Sequence, residues 1–127
     1  EYVTNRNRGG NPLRGKFYVC PVCGNAIYAM GEGSFHCCGV ALPPLEAEEP
    51  DEAHGLTVEE MDGEYYVSVD HPMEKGHFIS FLALVGPSRV EIVKLYPEQE
   101  AAARFPKRGS GVLYACCNRH GLFRKKL

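Results

Sequence analysis

Strands are easier to read in the second half of the chain than in the first. Glu64 to Val69 is β-prone, carrying Tyr65, Tyr66, Val67 and Val69, and Phe78 to Val85 is a nearly continuous apolar run of buried-strand length. Gly86-Pro87-Ser88 ends that run, and Val90 to Tyr96 reads as its hairpin partner. Val112 to Cys117 and Leu122 to Phe123 complete the set. A single segment, Glu98 to Arg104, predicts a helix of one or two turns. Short strands punctuated by glycine and proline point to an all-β chain, a β-sandwich or small barrel. The first half follows no such pattern. Residues 1–16 are polar and rich in Asn, Gly and Arg, which predicts a flexible lead-in. Residues 17–42 hold four cysteines and little else that could form a core. Residues 43–53 are proline-rich and acidic and read as a linker.

Composition narrows the class. The chain has 127 residues, 44% hydrophobic and 24% charged, with a net charge of −2. That excludes a disordered tail, a collagen-like repeat and a coiled coil. No apolar run approaches the ~20 residues that a membrane-spanning helix needs, so a soluble protein without a membrane partner is expected. Charge is uneven: Glu46 to Glu74 contains eleven acids and no Lys or Arg, and Arg104 to Leu127 contains seven bases and no acid. The ordinary reading is a pair of solvated faces; the functional one is a basic end that steers a small anion. The chain is too acidic overall, and too poor in exposed aromatics, to favour nucleic acid.

Cysteine changes the picture most. There are 6, at Cys20, Cys23, Cys37, Cys38, Cys116 and Cys117, together with 5 histidines. A disulfide scaffold is one reading. Adjacent pairs make a compact disulfide framework awkward, however, and in a reducing cytosol such thiols serve as metal ligands, which makes a cytoplasmic location the expectation. Cys20-Pro21-Val22-Cys23 is a C-x-x-C turn that can put both sulfurs on one cation, and Cys37 and Cys38 follow fourteen residues later. Four thiolates suit tetrahedral iron or zinc. A unit this short cannot fold on hydrophobic burial alone, and metal ligation supplies on the order of 10 kcal/mol. A zinc ribbon without chemistry is the plain alternative, although zinc ribbons normally close with a second C-x-x-C.

Phe17-Tyr18-Val19-Cys20-Pro21-Val22-Cys23-Gly24 followed by His36-Cys37-Cys38-Gly39 resembles desulforedoxin. In that family the second cysteine pair is adjacent and the metal is one redox-active iron. His36 itself reads as an exposed turn residue.

The remaining candidates form a second constellation: His54, His71, His77, Cys117 and His120. His71 and His77 lie six apart across a turn into a strand, and Cys117 and His120 lie three apart directly after a strand. Imidazole suits iron, copper or zinc, and a thiolate adds soft, electron-donating character. Five protein ligands exceed the four of structural zinc and leave one octahedral position open. This half resembles superoxide reductase through His71-Pro72-Met73, His77-Phe78-Ile79 and Cys117-Asn118-Arg119-His120-Gly121-Leu122. The chain as a whole resembles desulfoferrodoxin, the two-iron form, over about residues 17–124. The resemblance implies a small desulforedoxin-like metal-binding β module followed by an immunoglobulin-like β-sandwich, in a homodimer. Its boundaries would be 1–16 for the lead-in, 17–45 for the four-cysteine module and 46–127 for the sandwich. It also implies iron held by His54, His71, His77, His120 and Cys117, a second iron (or zinc) on the four N-terminal cysteines, and a rubredoxin-like electron donor. Cys117 rather than its neighbour Cys116 matches the motif, which leaves Cys116 as a small buried hydrophobe.

The pattern departs from the family around the first histidine. The stretch is Glu52-Ala53-His54-Gly55-Leu56, where superoxide reductases carry Glu-Lys-His-x-Pro. The glutamate that in the family caps the oxidised iron is present as Glu52; the lysine that draws in superoxide is Ala53. Lys75, inside the His71–His77 turn, is the candidate substitute. The expected activity is one-electron reduction of superoxide to hydrogen peroxide. The rivals are a slow dismutase, a metal-binding sensor or structural protein, and zinc in both sites.

Overall fold

The structure is a computed structural model, and it describes residues 11–31, 33–49 and 55–127. It falls into two compact units that divide between Leu45 and Glu46.

The first unit contains two short hairpins. Strand β1 (Lys16–Val19) pairs antiparallel with β2 (Ala26–Ala29), and β3 (Phe35–Cys37) pairs with β4 (Val40–Leu42). Contrary to the sequence reading, the segment does build a core. Tyr18, Cys20 and Leu42 are buried, with Ile27, Ala29, Phe35, Cys37 and Val40 packed against them. The rings of Tyr18 and Phe35 lie 4.7 Å apart, those of Phe17 and Tyr28 4.6 Å apart. The described end of the expected lead-in is ordered as well. Asn11 accepts the Leu13 N–H at 2.9 Å and caps a 3-10 turn, Pro12–Arg14, where proline at the first position loses no bond.

The second unit is a sandwich of two sheets. Strands β6 (Gly55–Met61), β7 (Glu64–Asp70) and β10 (Ala102–Pro106) form one, in the order β10-β7-β6. Strands β5 (Ala47–Glu48), β8 (Ile79–Val85), β9 (Val90–Lys94), β11 (Val112–Cys117) and β12 (Gly121–Lys126) form the other, in the order β5-β12-β11-β8-β9. Alternation in β7 buries Tyr65, Val67 and Val69 on one face. They meet Ile79, Leu82, Leu84, Leu113, Ala115 and Phe123 of the opposite sheet around the fully buried Phe105. The molecule is all-β, as expected.

Two sequence expectations are corrected. Glu98–Arg104 is not a helix: Glu98 takes φ 65°, which breaks helical propagation, and Ala102–Pro106 pairs with Ser68–Glu64 instead. Burial of Phe105 between the sheets outweighs the helix propensity of the alanine run. The expected linker also contributes structure, since Ala47–Glu48 pairs parallel with Leu122–Phe123.

The ladder between β8 and β11 slips once. Cys116 pairs with Phe81 and Cys117 with Ile79, so Ser80 is an extra residue, a β-bulge. The slip lets Ile79 share the core face with Leu82 and Leu84. On β11 the period of two holds, and Cys117 joins Leu113 and Ala115 on the core face while Cys116 takes the other.

Candidate metal centres

The four N-terminal cysteines converge at the ends of the two hairpins, their sulfurs all within 4.8 Å of one another. The backbone makes this possible. Cys20 accepts the Gly24 N–H at 2.9 Å, with Gly24 at φ 77°, and Cys38 and Gly39 both take positive φ, 51° and 73°. Glycine adopts that geometry freely, and at Cys38 it is strained. The Cys23 and Cys37 sulfurs are 3.6 Å apart, and those of Cys37 and Cys38 3.9 Å. A tetrahedron with metal–sulfur bonds of about 2.3 Å has edges of about 3.8 Å, so the spacing suits one cation. Titration agrees. Backbone N–H groups, that of Cys23 foremost, lower the Cys20 thiol to about 7. The neighbouring sulfurs, Cys23 first, raise Cys38 to about 12 and push Cys37 up as well. Four thiolates cannot crowd together without a positive ion between them. Cys20 is buried, whereas Cys23 and Cys38 are exposed.

The second cluster sits at one end of the sandwich. His71, His77, Cys117 and His120 each offer a ligand atom within 4.8 Å of the others. Two connections, β7–β8 and β11–β12, supply them. His71 directly follows the last residue of β7, His77 lies two residues before β8, and Cys117 and His120 flank the β11–β12 turn, which closes on Gly121 at φ 88°. The Cys117 sulfur is 3.5 Å from His120 Nδ1, and the His77 ring lies 4.6 Å from that of His71 and 5.0 Å from that of His120. His71 Nδ1 is 2.6 Å from the Pro72 carbonyl, which leaves Nε2 as the nitrogen that can face the cluster. The Nε2 atoms of His71 and His77 are buried, as is Cys117, and His120 is exposed. Two expected residues, His54 and Glu52, lie outside the described residues. The strand that follows them begins at Gly55, opposite Asp70, the neighbour of His71.

Sequence reasoning missed the groups that hold this end together. Asn118 Oδ1 accepts the Phe78 N–H at 2.9 Å, its Nδ2 donates to the Gly76 carbonyl at 3.2 Å, and Arg119 Nε donates to the same carbonyl at 2.9 Å. The sulfur of Met73 accepts the Ile79 N–H at 3.3 Å. Such bonds clamp the His71–His77 turn onto the Cys117–His120 turn and fix ligand orientation. Only the neighbouring Cys-Asn-x-His spacing hinted at them. Lys75, the sequence candidate for a substrate-facing charge, is 85% exposed, with its ammonium 3.9 Å from Glu98. The basic C-terminal run is partly drawn back onto the acidic strands, with Lys107 2.8 Å from Glu60 and Arg108 3.5 Å from Glu91.

Cys116 stands apart from both clusters. It is buried, and burial pushes its thiol up to about 11. At pH 8 iodoacetamide will therefore leave Cys116 unmodified in the native protein and label it after urea unfolding, read by peptide mass mapping. Equal labelling in both states would show that this face of β11 is open.

No helix among the described residues is long and apolar enough to cross a membrane. A profile of the desulfoferrodoxin family matches residues 44–126. The chain is 44% identical over 119 residues to a desulfoferrodoxin of Clostridium acetobutylicum, covering 84% of this chain and 92% of that protein. It is 34% identical over 115 residues to a desulfoferrodoxin homolog of Archaeoglobus fulgidus, with the same coverage of each. Among solved structures, the superoxide reductase of Treponema pallidum superposes with a TM-score of 0.78 at 21% identity, covering 88% of this chain and 98% of that one. At that identity the match speaks for the fold.

Proposed function

Because the chain belongs to the desulfoferrodoxin family, we propose that it reduces superoxide to hydrogen peroxide at the His71, His77, Cys117 and His120 cluster, with iron bound there and His54 as a further ligand. The observation that carries this reading is the donor set itself: three imidazoles and one buried cysteine sulfur converging at the end of the sandwich. Bound iron would supply the electron and an open coordination position for a small anion. The chain's own groups do the rest. Cys117, in the apolar core, presents a soft, electron-rich sulfur that water does not reach. The buried Nε2 atoms of His71 and His77 keep two imidazoles aimed inward. Exposed His120 marks the side where protons from solvent arrive.

The reaction takes up one electron and two protons per superoxide, so it needs a donor, and a rubredoxin-like protein fits. The four cysteines would hold a second iron, or zinc, with electron transfer or structure as its role. Exposed Cys23 and Cys38 support the former, since they bring sulfur to the surface where a small donor can approach. Glu52 closing the oxidised site, Lys75 adding positive charge and a homodimeric assembly belong to the same proposal through the family resemblance.

The test is metal analysis with a visible spectrum, followed by peroxide yield. A reductase gives one peroxide per superoxide and consumes its donor; a dismutase gives one per two and needs none. Colourless protein containing only zinc, expressed in iron-replete medium, would overturn the proposal.

A further inference from the structure

We propose that Arg119 is the cation that draws an anionic substrate to the histidine–cysteine cluster, an inference that rests on superoxide being that substrate. Arg119 stands between Cys117 and His120 in the β11–β12 turn, within two residues of both. Arg119 is exposed, but its side chain folds back onto the neighbouring turn. Nε donates to the Gly76 carbonyl at 2.9 Å, and the guanidinium occupies the space beside Gly76, where a Cβ would lie 3.4 Å from its terminal nitrogen. Gly76 immediately precedes His77. The charge is thus held against both ligand-bearing turns.

The other charged groups at this end do not compete. The Lys75 ammonium faces Glu98 at 3.9 Å, so much of its field is offset by an adjacent carboxylate. The Lys94 ammonium is committed to the Ser80 and Leu95 carbonyls and lies over the rings of Phe78 and Tyr96. Glu74 is tied through its backbone to His77 at 3.0 Å and adds a negative charge on the same turn, which makes a fixed cation there the more consequential. Among the described residues no carboxylate pairs with Arg119. A guanidinium keeps its charge at every working pH, and one bond from Nε leaves its Nη donors for an incoming anion.

Two substitutions separate steering from stapling. Arg119→Met keeps the length of the stem and removes the charge; Arg119→Lys keeps the charge and loses the Nε bond. The second-order rate with pulse-generated superoxide is measured across ionic strength. Azide, an unreactive monoanion, is titrated into the oxidised iron-loaded protein by absorbance. Arg119→Met should be roughly tenfold slower at low salt, lose most of its salt dependence and bind azide correspondingly more weakly. Arg119→Lys should recover most of both. Unchanged rates and azide affinity in Arg119→Met would overturn the inference, and so would equal losses in the two variants, which would leave Arg119 a staple. If the parent protein consumes no superoxide, the functional proposal falls, and the azide comparison still decides the role of Arg119.

Discussion

Replacing His77 with alanine should abolish the proposed superoxide consumption while the visible bands expected of an iron-loaded four-cysteine unit stay in place. His77 is the middle member of its cluster, with its ring within 5.0 Å of both other imidazoles. Losing even a supporting group around a metal typically costs 10–100-fold, so loss of a ligand should cost at least about 100-fold. The fold should tolerate the change, because His77 belongs to the connection before β8 and not to the buried core. Far-ultraviolet dichroism should therefore be unaltered, and iron per chain should fall by about one equivalent if both sites are filled. Activity that survives the substitution would remove His77 from the ligand set.

Replacing Cys20 with serine unfolds the first unit and spares the second. Among the described residues from Asn11 to Leu45 only Phe17, Tyr18, Cys20 and Leu42 are buried, far less than a unit of about 35 residues needs to fold unaided. Ligation supplies on the order of 10 kcal/mol to domains of this size, and serine offers neither the soft donor nor the apolar sulfur that Cys20 contributes. The expected result is loss of the four-cysteine bands together with rapid proteolysis before residue 46, while a fragment from about Glu46 onward persists. Mass spectrometry of a short protease digest reads this directly. A first unit that stays protected would mean that hairpin pairing and its aromatic contacts suffice without metal.

What could be read in advance follows from how locally each feature is encoded. The strands at 64–70, 79–85, 90–94 and 112–117 were legible because alternation or continuous apolarity spans the whole element. β6 was not, since only Leu56 and Val58 turn towards the core and Glu59 and Glu60 face outward. The N-terminal strands run three or four residues each, too short for a period to show beside the cysteines. Glu98–Arg104 misled because its composition favours helix and only distant β7 reveals the pairing. Both clusters were legible, since ligand chemistry restricts the residue types and the turns restrict their spacing. The clamp was not. Asn118 and Arg119 reach the Gly76 carbonyl across more than forty positions, and a backbone acceptor leaves no mark on sequence. The same holds for Lys75, whose environment is set by Glu98 from another loop.

The extra residue at Ser80 bears on which changes in length this protein can absorb. It divides β8 into two stretches of opposite phase: Ile79 on one side of the slip, and Phe81 to Val85 on the other. Deleting Ser80 would bring the two into step, with Phe81 still opposite Cys116 and Ile79 still opposite Cys117, so β8 would become a regular strand and Ile79 would keep its face. Inserting a second residue beside it would either widen the bulge or turn Ile79, with the whole approach from His77, through half a revolution. This position should then absorb the loss of one residue and resist the gain of one, whereas the Gly86–Arg89 turn at the far end of the same strand can change length in either direction without reversing a face.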